Sequence, residues 1–333
     1  MNPVAVLKRQ LQKRCLPYYI VDRDPFIFYA YWFDFYSRLE DFTRRFAGKK
    51  RVFGVFQFGW HYETEERQAR LEREVKEALR RIPQLEVRFL ANSPAEETGV
   101  RKLGFPVVYC HQNAFLEEGN YRLSLNDKEF DAVYVARITP FKRHELAAEL
   151  DLLLLVGDYS GAEQAFALDA LKKQKPAAVW KRYVPHRSIA DEIGRARVGL
   201  CLSAEEGAMF VSAEYMLCGL PVVSTRNLGG RDGLLPEPYR LRPDDSAASV
   251  AKCVASLAAA RFETAQIRAA FLAAARPHRE KLIALLNDIY AGCGRPAPVT
   301  PENFRRYCPH KLGLRCGFLP LLYLQGLCRS VGR

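Results

Sequence analysis

Four charged side chains stand where they can act on a phosphate-bearing, hydroxyl-rich ligand: Arg137, Lys142, Glu206 and Glu214. Arg137-Ile-Thr-Pro-Phe-Lys142 directly follows Asp131-Ala-Val-Tyr-Val-Ala136, an apolar run of strand type. A guanidinium fork binds two phosphate oxygens, and an ammonium neutralises the charge that grows on a departing phosphate. Glu206 and Glu214 supply a carboxylate to each end of such a ligand. Taken singly, an Arg/Lys pair five apart is usually a solvated face, and two glutamates eight apart carry almost no signal beyond a satisfied pair at a helix start. Their meaning depends on the elements that hold them.

Those elements are legible from Ser203 to Thr225. Gly199-Leu-Cys-Leu-Ser203 is a short apolar run of strand type, and Glu206-Gly207 turns the chain. Ala208 to Cys218 has the apolar spacing of a helix buried on most sides. Gly219 caps that helix and Pro221 prevents its continuation. Leu220 to Ser224 is the next buried strand. Glu206 therefore lies in the loop before the helix and Glu214 about two turns inside it. The helix start, with the backbone of Gly207, Ala208, Met209 and Phe210, suits an anion.

At these residues the chain resembles the retaining GT-B glycosyltransferases, in the group that contains glycogen synthase and many lipopolysaccharide sugar transferases. That group carries Glu-x7-Glu before a helix ending in Gly-x-Pro-Val-Val. Glu206 and Glu214 have that spacing, whereas the offset register pairs Glu205 with Ala213. Gly219-Leu-Pro-Val-Val223 and Asn227-Leu-Gly-Gly230 complete the pattern. The resemblance implies an α/β protein with two Rossmann-like domains whose parallel sheets face a cleft. It implies that Arg137 and Lys142 hold the donor diphosphate, although Ala136 stands where glycine is common in the family. Glu206 would contact donor-sugar hydroxyls and Glu214 the ribose. Tyr183 and Val184 fall in a segment similar to the one beside the nucleotide base. Transfer would proceed with retention by same-face attack, the leaving phosphate taking the acceptor proton. No cofactor and no metal are expected, and no Asp-x-Asp is present.

The chain of 333 residues is long enough for two domains with separate cores. Residues 1–125 are read as a short, atypical acceptor-side domain, 126–275 as the nucleotide-sugar domain, and 276–333 as a crossover helix and tail. Phe26, Phe28, Tyr29, Tyr31, Trp32, Phe33, Phe35 and Tyr36 are expected on one helix spanning 25–46. Alternating strand and helix patterns from 51 to 110, and again from 131 to 289, argue parallel sheets. His61, after Phe58-Gly-Trp60, and His111, after a strand, are candidates for the N-domain histidine that family members often carry near the sugar.

The net charge of +12 suggests a polyanionic partner; an anionic membrane surface and a merely solvated surface with a few phosphate-binding groups stand equally ahead of nucleic acid, for which no module motif is found. Nine cysteines without regular spacing read as reduced thiols in a cytoplasmic protein. Cys293, Cys308, His310 and Cys316 lack the paired knuckle of a zinc site. No apolar run approaches the ~18 residues of a membrane span, and the N-terminus lacks a secretory hydrophobic region. The basic, apolar segment 312–324 could lie on a membrane surface or pack on the aromatic N-terminal region. The expected activity is sugar transfer from a nucleotide diphosphate sugar to a cell-surface glycan or lipid-linked acceptor, in polysaccharide or lipopolysaccharide biosynthesis. The enzyme would be cytoplasmic and peripheral on the inner face of the membrane. A nucleotide-sugar-binding partner subunit without transfer activity is the alternative.

Overall fold

The computed structural model describes residues 16–123, 127–158, 169, 173, 177–182, 184–185 and 188–314. The chain forms two compact units, residues 1–116 with 278–333, and 117–277.

The first unit begins with β1 (Tyr18–Arg23) antiparallel to β2 (Phe26–Tyr31). Parallel strands β3 (Val52–Gln57), β4 (Leu85–Ala91) and β5 (Val107–Tyr109) follow in spatial order 1-2-3-4-5. The connections are α1 (Trp32–Tyr36), α2 (Leu39–Phe46), α3 (Glu65–Arg81) and α4 (Pro94–Lys102). Consecutive right-handed crossovers that advance in one direction put all these helices on one face of the sheet. Thr64 caps α3 through the Arg67 N–H, and Ser93 caps α4 through the Glu96 N–H. Leu71, Val75 and Ala78 form the buried stripe of α3, as its spacing requires.

The expected single helix over 25–46 is replaced by a strand and two short helices. Phe26-Ile-Phe-Tyr-Ala-Tyr31 is buried at every position. It has no polar face for a helix to expose, whereas a central strand covered on both faces takes such a run. Its aromatic rings interlock with those of the helices. The Phe35 ring centroid lies 4.7 Å from Phe42 and 4.8 Å from Phe56, and Trp32 lies 5.0 Å from Phe56. Gly54 makes room for this cluster, because a Cβ there would meet the Phe56 ring at 2.5 Å.

The opposite face of the sheet is covered by the returning chain. The Tyr29 hydroxyl lies 3.3 Å from Cys308 Sγ, and Gly313 packs on the Tyr19 ring. The Cys110 thiol donates to the His278 carbonyl at 3.0 Å.

The second unit is a six-stranded parallel sheet. It comprises β6 (Phe130–Val135), β7 (Leu153–Val156), β8 (Val179–Lys181), β9 (Ala196–Cys201), β10 (Val222–Ser224) and β11 (Arg240–Leu241). Their spatial order is 11-10-9-6-7-8. Helices α5 (Ile189–Gly194), α6 (Phe210–Leu217) and α7 (Ala247–Ala259) belong to this unit. The long helix α8 (Thr264–Ala291) contains Pro277 and carries the chain out of the unit. Among the described residues no helix is long and apolar enough to cross a membrane. Residues 7–15 and most of the 312–324 segment lie outside the described residues.

Candidate active site

Strand order locates the site in the second unit. From β6 the chain works outward through β7 and β8, then returns to β9 on the other side of β6 and continues outward through β10. In open parallel sheets, ligands bind outside the carboxyl ends of the strands at such a reversal. The loop leaving β6 carries Arg137 and Lys142, and the loop leaving β9 carries Glu206 to Met209.

The two loops meet through charge. Lys142 Nζ donates to Glu206 Oε2 at 2.5 Å, and the two side chains are 8% and 14% exposed. Lys142 ends a 3-10 turn, and its carbonyl accepts from the Tyr134 hydroxyl at 2.6 Å. Arg137 projects from the end of β6 into solvent, and its guanidinium makes no hydrogen bond or ion pair among the described residues. Gly157 of the next loop lies against this strand end, where a Cβ would come within 1.8 Å of the Ala136 carbonyl oxygen.

Helix α6 is pinned across the sheet. The Tyr215 ring lies on Gly199, where a Cβ would meet it at 2.3 Å, and its hydroxyl accepts from the Val135 N–H at 2.8 Å. Glu214 is buried and accepts from the Tyr121 hydroxyl at 3.0 Å. Met209 precedes the helix with φ 43°, so the helix begins at Phe210 rather than Ala208. Gly207, Ala208 and Met209 are buried beside Glu206. Val184 is half-buried, and Tyr183 lies outside the described residues.

Two arginines that the motif reading passed over brace these loops. Arg143 takes a left-handed conformation, φ 50°, and donates to the Leu202 carbonyl at 2.6 Å and Thr225 Oγ1 at 2.7 Å. Arg231 is fully buried. It donates to the Ser203 carbonyl at 2.6 Å, to Ser224 Oγ at 2.9 Å and to Asp232 Oδ1 at 2.9 Å. Burial pushes the Asp232 carboxyl up, but the Arg231 charge and the hydrogen bonds from Arg231 and Ser224 outweigh it and hold it below its ordinary value. Arg231 follows Asn227-Leu-Gly-Gly230 directly, so its position beside the motif was the available signal. His144 is buried against Tyr134, ring centroids 4.8 Å apart. Burial, aided by the Lys142 charge, lowers its pKa to about 4 and keeps it neutral.

The two candidate histidines of the first unit are both buried. His61 Nδ1 accepts from the Glu63 N–H at 3.5 Å, and its Nε2 meets the Arg67 guanidinium. His111 Nδ1 accepts from the Asn113 N–H at 3.2 Å, while its own N–H donates to His278 Nδ1 at 3.2 Å. Among the described residues no three metal-ligating side chains gather.

Residues 130–259 match the model of the family described as glycosyl transferases group 1. No curated protein matches the chain. Among solved structures it is similar to Anabaena Alr3699/HepE in complex with UDP. That match has a TM-score of 0.55 and 16% identity over 78% of this chain and 78% of that one. It is similar to sucrose-phosphate synthase from Thermosynechococcus elongatus, with a TM-score of 0.60 and 18% identity over 79% and 73% of the two chains. The similarity to TarM has a TM-score of 0.55 and 12% identity over 76% and 53%. The protein is a glycosyltransferase of GT-B fold. Its residues 130–259 are a glycosyl transferases group 1 domain.

Proposed function

We propose that the protein transfers a sugar from a nucleoside diphosphate sugar, with retention at the anomeric carbon, to a cell-surface glycan or lipid-linked acceptor. The observation that carries this reading is the Lys142–Glu206 pair at 2.5 Å, which joins the two loops at the sheet reversal beside the exposed Arg137. The similarity to a structure holding UDP supports a nucleotide donor.

In this reading Arg137 and Lys142 bind the diphosphate and stabilise the charge that grows on it as the glycosidic bond breaks. Glu206 holds Lys142 in place before the donor arrives and accepts from donor-sugar hydroxyls afterwards. Glu214 accepts from the ribose. The departing phosphate oxygen takes the acceptor proton on the face it leaves, which gives retention without a protein nucleophile. No metal is needed for this division of charge.

Residues 1–15 and 315–333 carry Lys8, Arg9, Lys13, Arg14, Arg315, Arg329 and Arg333 and no acidic residue. With the apolar run Gly317-Phe-Leu-Pro-Leu-Leu-Tyr-Leu324, this composition supports peripheral attachment to an anionic membrane surface.

The test is incubation with a panel of UDP and GDP sugars, with the anomeric configuration of the first product read by NMR. An inverted product would overturn the retaining course. Tight nucleotide-sugar binding without turnover on any acceptor or water would make the chain a binding subunit.

A further inference from the structure

The first unit contains a cavity of about 350 Å³ at the carboxyl ends of β2 and β3. Its walls come from two loops. One runs from Tyr31 to Asp34, and the other includes Gly59, Trp60, His61 and Tyr62. Arg67 and Arg70 of α3 complete it. Gly59 lies beside the Tyr31 ring, at a distance where a Cβ would make an ordinary contact of 3.4 Å.

The distribution of aromatic surface is the telling feature. Phe28, Trp32, Phe35, Phe42, Phe46, Phe56 and Phe89 of this unit are fully buried. Phe33 is 62% exposed at the cavity. Leaving a phenyl ring in water forgoes the free energy of burying it, and a partner that covers the ring recovers it. Polar groups converge beside this ring. The Arg70 guanidinium is tied to Glu74 through Nε at 2.7 Å, and Glu74 also accepts from Trp32 Nε1 at 2.7 Å. Glu74 thus fixes the arginine while the arginine's terminal nitrogens stay uncommitted to any carboxylate. The Arg67 guanidinium lies over the Trp60 ring, 5.9 Å from its centroid. Asp34 provides the single carboxylate of the wall.

Flat aromatic faces cover the C–H face of a sugar ring, and a carboxylate accepts its hydroxyls. Held by Glu74 through Nε, Arg70 presents its terminal nitrogens as a fork suited to a carboxylate. We propose that this cavity binds an acidic sugar, a hexuronate residue, of the acceptor glycan. The proposal rests on the reading that the chain transfers sugar to a glycan acceptor.

The experiment titrates the full chain with methyl glucuronide and with methyl glucoside by ligand-observed NMR. Melting with UDP is measured on the same samples. The glucuronide is expected to bind roughly tenfold more tightly than the glucoside at low salt. Arg70→Gln should reduce glucuronide affinity to that of the glucoside. Phe33→Ala, at an exposed position, should weaken both glycosides by a similar factor. UDP should shift the melting temperature equally in all three proteins. Equal binding of the two glycosides, or full discrimination in Arg70→Gln, would overturn the acidic-sugar assignment. A UDP shift with no glycoside binding would refute the cavity while leaving the donor reading intact. Glycoside binding without a UDP shift would refute the donor reading alone, and loss of both would refute both.

Discussion

Lys142 Nζ donates to Glu206 Oε2 at 2.5 Å across the two loops that leave β6 and β9. With both side chains largely shielded, the pair is a structural tie as well as the proposed source of charge for the donor. Lys142→Ala therefore leaves a carboxylate without its cation, at a cost of about 3 kcal/mol. Glu206→Gln keeps an acceptor and costs less. The double variant Lys142→Met with Glu206→Gln should recover most of the stability and none of the transfer rate. Urea unfolding beside a transfer assay measures both, and full stability in Lys142→Ala alone would show that the tie contributes nothing.

Arg137 should behave differently. Its side chain is exposed and engaged with no partner among the described residues. Arg137→Ala is expected to leave stability within about 0.5 kcal/mol of the parent. Turnover should fall on the order of 100-fold, the usual loss for a main electrostatic group. Near-normal turnover would remove Arg137 from the site.

Glu214 meets Tyr121 through a buried hydrogen bond of 3.0 Å. Tyr121→Phe removes the donor and should cost about 1 kcal/mol of stability, with little change in nucleotide affinity. Glu214→Ala should weaken nucleoside diphosphate binding by about 1–3 kcal/mol. Calorimetric titration separates the two. If both variants bind nucleotide like the parent, Glu214 serves only to hold Tyr121.

UDP or GDP should raise the melting temperature with chelator present. A ligand at ~100 times its dissociation constant adds about 2.7 kcal/mol. A shift seen only with added manganese would contradict the metal-free reading of the donor site.

Glu96 sets a pH dependence. Burial pushes its carboxyl from the ordinary 4.5 up to about 8, against the pull of the N–H groups of Asn92 and Tyr62, which donate to it at 2.6 and 2.8 Å. Between those values the folded protein holds a proton that the unfolded chain releases. The contribution is therefore fully present below about pH 4.5 and is lost as pH rises through about 8. Glu96→Gln should flatten the fall in urea midpoint across that window. Parallel curves for parent and variant would show that the carboxyl ionises without penalty.

Much of the second unit was legible because each local signal agreed with its neighbours. Gly219 and Pro221 bound one helix end, and the apolar runs at 131–136 and 197–202 are the length of buried strands. The 26–31 run was misassigned because an all-apolar hexamer has no period, so helix and strand cannot be distinguished from it. Arg231 was missed for another reason. Its partners are largely the carbonyls and hydroxyls of Ser203, Ser224 and Thr225, and backbone acceptors leave no mark in a sequence. Phe33 belongs to an aromatic run whose usual reading is core packing, with a surface that faces an acceptor or a membrane as the alternative, and only the cavity it lines with Trp60, Arg67 and Arg70 sets it apart.

The first unit is interrupted in the chain, and this orders events at the ribosome. Its sheet is complete in sequence by Tyr109, but the segment that covers Tyr19 and Tyr29 lies beyond His278. Residues 117–277 must be translated in between. At roughly 5–20 residues per second that is on the order of ten seconds. Through that interval the nascent sheet presents one aromatic face without its cover, a surface for a holding chaperone to occupy until the C-terminal segment arrives.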